Sequence, residues 1–302
     1  MATMTKANGG LAQRLQRDGL PVVVILLAVL VIWYLGAIWM NAAGAIERVL
    51  PSDAPWTWQQ LVSATLSMDR PVLPAPHQVA LDFWKSLVDW PVTSPRNLLF
   101  HVAVTAQSTL WGFVMGTLLG LGLAVLIVHS RTLDRALLPW IVASQTVPVL
   151  AIAPIVLVIL GSLGFSGTAP KAVIAMYLCF FPVTVAMVQG LRSPQKIETE
   201  MMHTYAASKW QALWLLRLPA SLPFLFPALR VGIAAGLVGA MVAELPTGAV
   251  AGLGARLLTG SYYGNTIQIW SALVMSALLG LTLTAAVAGV ERLVLSRRGG
   301  QA

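Results

Sequence analysis

A chain of 302 residues that is 57% hydrophobic and only 10% charged, where soluble domains carry about 25% charge, cannot cover itself with polar surface. Its mean hydropathy of +0.78 marks an integral membrane protein. The formal net charge of +8 does not indicate a nucleic-acid binder, because the basic residues cluster at the ends of apolar runs, as topology determinants do. The one cysteine, Cys179, lies inside an apolar run and excludes an intrachain disulfide framework or a cysteine-rich metal site.

Residues 1–20 are polar, with Lys6, Arg14 and Arg17, and 21–40 then carry no charge, long enough to span a hydrocarbon core of about 30 Å. Ala43-Gly44-Ala45 resembles a signal-peptidase site, but the apolar run exceeds an h-region. The stretch 21–46 therefore reads as an uncleaved first transmembrane helix. Residues 47–96 are polar and proline-bearing, with Trp56 and Trp58 as interfacial markers. Within them Val79, Phe83, Leu87 and Trp90 recur at helical spacing, opposite Asp82, Lys85 and Asp89. That pattern predicts an amphipathic helix, too polar to span, lying along the outer interface, with an ordinary packing helix as the other reading.

The core, 97–292, holds five further runs, at 98–128, 137–163, 172–191, 222–243 and 269–290, and 293–302 form a tail. Short loops at 129–135 and 164–171 separate the first three. Gly112, Gly116, Gly120 and Gly122 let helices approach closely. Pro139, Pro148 and Pro154 interrupt the third run. Prolines in membrane helices need neighbours or cavities to satisfy the freed carbonyls, so Pro148 and Pro154 are candidate walls of a transport path, with a simple kink as the other reading.

The expected fold is all-α: a six-transmembrane-helix bundle with an outer amphipathic helix. An even number of spans puts both termini on one side. Arg14, Arg131, Arg135, Arg192, Lys209 and Arg297 crowd that side, which the positive-inside rule makes the cytoplasm. The expected location is a lipid membrane, with both termini cytoplasmic.

No GxxxxGK[ST] or HExxH occurs, and His77, His101, His129 and His203 are scattered. They read as structural, with no metal, no cofactor and no catalytic cluster in this chain. The polar insert 192–221 is longer than a connecting turn requires. Ile197, Met201 and Tyr205 recur at helical spacing, Ala206-Ala207 form a turn, and Ser208 is an N-cap for a second helix. That helix presents Trp210, Leu213 and Leu216 and ends at Leu218-Pro219.

This insert resembles the EAA loop of ABC-importer permeases. Glu200-Met201-Met202 stand in the EAA place, Ala206 in the glycine place, and Ser208-Lys209-Trp210-Gln211 precede Leu218-Pro219. Leu73-Pro74-Ala75-Pro76, Val147-Pro148, Ala153-Pro154, Gly190-Leu191-Arg192-Ser193, Ala243-Glu244 and Gly252-Leu253-Gly254 extend the resemblance to the nitrate/sulfonate/taurine branch and relatives handling vitamin precursors. Alanine at a position needing positive φ costs about 1 kcal/mol or more, so either the turn is built differently or Ala206 stays right-handed.

The resemblance implies a permease subunit without enzymatic activity of its own. Glu200, Met201, Tyr205, Ala206, Ser208, Lys209 and Trp210 would form a coupling helix docked on a cytoplasmic ATPase subunit that holds ATP-Mg. Glu200 would meet basic residues of that subunit or of its own loop. A periplasmic solute-binding protein and a second, identical permease copy complete the assembly in the lipid bilayer, which the resemblance implies is the bacterial inner membrane. Glu244 stands where the family carries an acidic residue, at the outer mouth of the path or behind a gate, with an interfacial carboxylate as the alternative. Arg230 is expected to snorkel to the inner interface. The rival function is an ion-gradient-driven secondary transporter, which would show internal repeats and a midplane ion site; neither is visible.

Overall fold

A computed structural model describes residues 20–48, 55–246 and 251–296. All regular structure among them is helical: α1 Leu20–Arg48, α2 Trp58–Leu66, α3 Pro76–Val88, α4 Leu98–His129, α5 Arg131–Ser144, α6 Val149–Ser162, α7 Thr168–Leu191, α8 Lys196–Thr204, α9 Lys209–Ala212, α10 Leu218–Glu244, α11 Leu253–Tyr262 and α12 Thr266–Ser296. The chain divides into two units, one of residues 1–85 and 260–271, the other of residues 86–259 and 272–302.

In the first unit α1 is one continuous helix through Ala43-Gly44-Ala45. Its first half is bare and apolar, whereas one side of its second half, at Ala37, Asn41 and Ala45, is covered. Ala45 packs against Leu61, Ala64 and Met68. Asn41 is buried and saturated by backbone: it accepts from Val72 N at 2.8 Å and Leu73 N at 3.2 Å, and donates to Leu73 O at 2.8 Å. Trp33 Nε1 donates to Pro74 O at 3.0 Å. A buried amide is tolerated only when its hydrogen bonds are made, and here they fasten the Leu73-Pro74 stretch along α1.

The second unit is built on small residues. A Cβ added at Gly112 would lie 2.4 Å from Ala175 Cβ, one at Gly116 2.8 Å from Cys179 Cβ, and one at Gly120 2.9 Å from Phe180 O. The numbers rise together along both helices, so α4 and α7 run parallel. Gly122 has nothing near it and takes no part. The same α7 residues also meet α10, Gly232 lying against Cys179 and Gly239 against Ala175 and Ile174, so α10 runs antiparallel to α7. In α12, Gly280 touches Leu237, and Glu291 forms an ion pair with Arg230. Arg230 is thus held by a carboxylate, a partner the reading of a snorkelling side chain did not include.

Five helices are long and apolar enough to cross a membrane, and α5 with α6 make a sixth candidate bent by 102° at its break. The parallel packing of α4 and α7 makes that pair a crossing. His129, the end of α4, and Thr168, the start of α7, lie at opposite ends of the two-helix layer, so the intervening chain must return across it. The break falls at 145–148, where Pro148 disfavours helix in Val147 and serves as the N-cap of α6 without a side-chain hydrogen bond. Pro139 and Pro154 sit inside unbroken helices, so only one of the three prolines makes the break. Tyr177 OH donates to Ser144 O there, satisfying one carbonyl that the break exposes.

Two loops are shorter than expected. Ser130 alone separates α4 from α5 and caps it, its side chain accepting from Leu133 N at 3.4 Å. α7 begins at Thr168, so Lys171 sits in its first turn rather than in a loop. Trp90 falls beyond the end of α3 and carries the Arg96 guanidinium 4.4 Å above its ring. Asn97 caps α4 and binds Leu87 O at 3.1 Å and Trp90 O at 2.6 Å.

Candidate functional site

Two polar constellations stand out in the second unit. The first gathers around Glu244, at the last turn of α10, whose side chain is 0% exposed. Thr105 Oγ1 from α4 donates to its carboxylate at 3.0 Å and 3.1 Å, Lys171 Nζ from α7 lies 3.4 Å away, and Gly254 N donates at 2.8 Å. Lys171 also donates to Ala251 O at 3.1 Å. Gly252 N donates to His101 Nδ1 at 3.0 Å and Leu253 N to Thr105 Oγ1 at 2.8 Å. Three successive backbone N–H groups at the start of α11, which have no intrahelical partner, are thus met by side chains from α4 and α10.

The glycines of Gly252-Leu253-Gly254 are explained by this network. Gly252 has φ +127°, and a Cβ there would sit 2.2 Å from the Glu244 carboxyl; at Gly254 it would sit 2.2 Å from Met241 O. Only glycine lets the loop reach the carboxylate. Sequence reasoning singled out Glu244 and these glycines but missed Thr105, Lys171 and the use of His101. A buried carboxylate requires a counter-charge, and Lys171 at the edge of an apolar run was the available signal.

The second constellation is the 192–221 insert. Gln195 N donates to Glu198 Oε2 at 2.7 Å at the start of α8. The helix closes with Ala206 N donating to His203 O at 2.9 Å and Ala207 N to Met202 O at 3.0 Å, the Schellman arrangement. Ala206 occupies its left-handed position with φ +53°. The turn is therefore built in the ordinary way with an alanine in the strained place, correcting both alternatives raised above. Ala206→Gly is expected to stabilise the turn by about 1 kcal/mol, read as roughly five-fold slower amide exchange at Ala207. Unchanged or faster exchange would refute the strain.

Ser208 is the N-cap of α9: its Oγ accepts from Gln211 N at 3.2 Å and Gln211 Oε1 accepts from Ser208 N at 2.7 Å. The helix does not end at Leu218-Pro219. A π-helical turn, Leu213–Arg217, joins α9 to α10, with Leu218 N donating to Leu213 O, and Pro219 follows directly after Leu218. Helical chain thus runs from Lys209 to Glu244. Leu213 is buried while Trp210 is 64% exposed, so these two do not share one covered face; Trp210 stacks on His129 at 6.1 Å. Ile197, Met201 and Tyr205 are likewise exposed, at 69%, 56% and 77%. Glu200 faces Lys196 at 3.5 Å on its own helix, and Arg192 pairs with Asp134 at 2.8 Å. Pro148 and Pro154 are both exposed in the bent pair, whose Ala153 packs with Ala243 and Ile174.

Residues 116–299 match the family described as binding-protein-dependent transport system inner membrane component, and the chain belongs to that family of transport permeases. The riboflavin transport system permease protein of Chloroflexus aurantiacus is 34% identical over 224 residues, 74% of this chain and 80% of the relative. The formylaminopyrimidine transport permease protein of Halalkalibacterium halodurans is 30% identical over 240 residues, 78% and 90%. The nitrate import permease protein of Leptolyngbya laminosa is 25% identical over 264 residues, 84% and 89%. Membership makes the chain a multi-pass inner-membrane protein and implies an ATPase and a solute-binding protein as partners.

Proposed function

We propose that this chain is the channel-forming subunit of an ATP-driven importer, and that the 192–221 insert is its coupling element. The observation that carries the reading is the exposed row Ile197, Met201, Tyr205 and Trp210 on an insert too polar to enter the bilayer. Apolar and aromatic side chains left uncovered on a rigid surface are what a partner's groove buries. The six crossings place both ends of the chain on the cytoplasmic side with the insert. α3 lies along the outer interface, and two copies of the chain enclose the path, with the bent pair at Pro148 and Pro154 as part of its wall.

In this reading the helix from Lys209 to Glu244, 36 residues and roughly 54 Å long, is the lever. Closure of the ATPase subunits moves its Trp210 end, the π turn yields, and the Glu244 end transmits the motion to the braced outer loop. Glu244 supports the gate from behind rather than touching solute. The solute is a vitamin precursor of the heterocyclic kind in preference to an inorganic anion. The relatives named for riboflavin and formylaminopyrimidine share 34% and 30% identity, against 25% for the nitrate permease.

Burying an aromatic anchor contributes about 2 kcal/mol or more, and an exposed rim charge about 1 kcal/mol or less. Trp210→Ala is therefore expected to weaken ATPase association more than Glu200→Ala. Co-purification of the ATPase and uptake into vesicles measure this. Full co-purification and uptake with Trp210→Ala would refute the coupling assignment.

A further inference from the structure

A cavity of about 310 Å³ lies between the end of α4 and the insert, lined by His129, Thr199, His203, Lys209 and Arg217 among others. No carboxylate lines it. The acids nearby in sequence are engaged elsewhere: Asp134 with Arg192, Glu198 at the start of α8, and Glu200 with Lys196. The side chains of His203, Lys209 and Arg217 make no hydrogen bond or ion pair among the described residues. Basic side chains converging on one concavity without a counter-charge repel each other and raise a positive potential that an anion relieves. Beside the cavity Trp210, 64% exposed, stacks on the lining residue His129 at 6.1 Å, an aromatic of the kind that anchors a protein contact.

We propose that this cavity receives an acidic side chain of the ATPase subunit, so that the charge seated at the contact is the partner's carboxylate rather than the permease's Glu200. This rests on the coupling role given to the insert. A basic hollow beside an exposed aromatic matches an aspartate or glutamate projecting from a protein surface. The exposed Trp210 also distinguishes such an occupant from a free anion, which needs no aromatic surface beside it. The contact then has the opposite polarity to the one the family resemblance implied for Glu200, whose carboxylate lies against Lys196 at 3.5 Å.

The test is ATPase association with the full-length permease in lipid nanodiscs, measured for wild type and three variants that elute as wild type. Lys209→Glu with Arg217→Glu is expected to weaken association on the order of 100-fold, Lys209→Gln with Arg217→Gln about 10-fold, and Glu200→Arg less than about 3-fold. Raising salt from 50 to 300 mM is expected to weaken wild type and to spare the glutamine pair. Inorganic phosphate at 10 mM, the small-anion probe, is expected not to shield Lys209→Cys from a thiol reagent, whereas the ATPase does. Association unaffected by the double reversal, or harmed as much by Glu200→Arg, overturns the proposal. So does shielding by phosphate alone, which marks a small-anion site. If wild type binds no ATPase, the coupling reading itself fails. If wild type binds and the reversal is silent, only the acidic contact fails.

Discussion

Gly252→Ala is expected to destabilise the permease by about 3 kcal/mol or more. Two costs combine. The backbone at φ +127° is one that side-chain-bearing residues rarely adopt, and the new Cβ would stand 2.2 Å from the Glu244 carboxyl. The carboxylate must then withdraw from Gly254 N or Thr105, leaving buried polar groups unmet, which costs more than the same bonds contribute when made. Gly122→Ala provides the control, since nothing lies within 4 Å of that position and alanine favours helix. Thermal unfolding of the detergent-solubilised protein is the measurement. A midpoint for Gly252→Ala equal to that of Gly122→Ala would show that the loop does not sit on the carboxylate.

The second large effect is non-additivity at the Lys171–Glu244 pair. The side chains are 7% and 0% exposed, so neither charge can be rescued by water. Glu244→Gln leaves the Lys171 ammonium buried against the Ala251 carbonyl, and Lys171→Met leaves the carboxylate without its cation. Each single change is expected to cost about 3–5 kcal/mol. Lys171→Met combined with Glu244→Gln removes both charges while keeping donors and acceptors toward Thr105 and Gly254, and should recover at least about 2 kcal/mol relative to the sum. Simple addition of the two losses would mean that the charges are not coupled. Uptake measured on the double variant separates brace from gate. A stable but inactive double variant supports the gate role given to Glu244, and a stable active one leaves it a structural brace.

Much of the architecture was legible because hydrocarbon imposes a length and a composition. The runs at 98–128, 172–191, 222–243 and 269–290 are apolar over a bilayer's thickness and appear as α4, α7, α10 and α12. The caps were legible for a similar reason: Ser208 before a helical pattern has one favourable use, and it is made. The boundaries were less so. Lys171 looked like a loop charge because the reading assigns a lysine beside an apolar run to water, whereas a lysine 73 residues away from its carboxylate can be buried with it. Leu218-Pro219 looked like an end because proline stops a helix that has no alternative hydrogen-bond pattern. A π turn supplies one, and α9 continues into α10.

By itself the amino-acid sequence determined that this is an all-helical membrane protein, where its long spans lie, and that a polar insert with an apolar stripe stands outside them. Those properties depend on local composition and on periods of a few residues, which chain order preserves. Tertiary structure alone decided that the proline-bearing third run crosses as a bent pair, because the crossing follows from α4 and α7 packing in parallel through Gly112, Gly116 and Gly120. It also decided that Glu244 is buried against Lys171, Thr105 and Gly254, and that His203, Lys209 and Arg217 line one hollow. Each of these brings together residues from different helices, and no local pattern encodes which buried charge will find which partner.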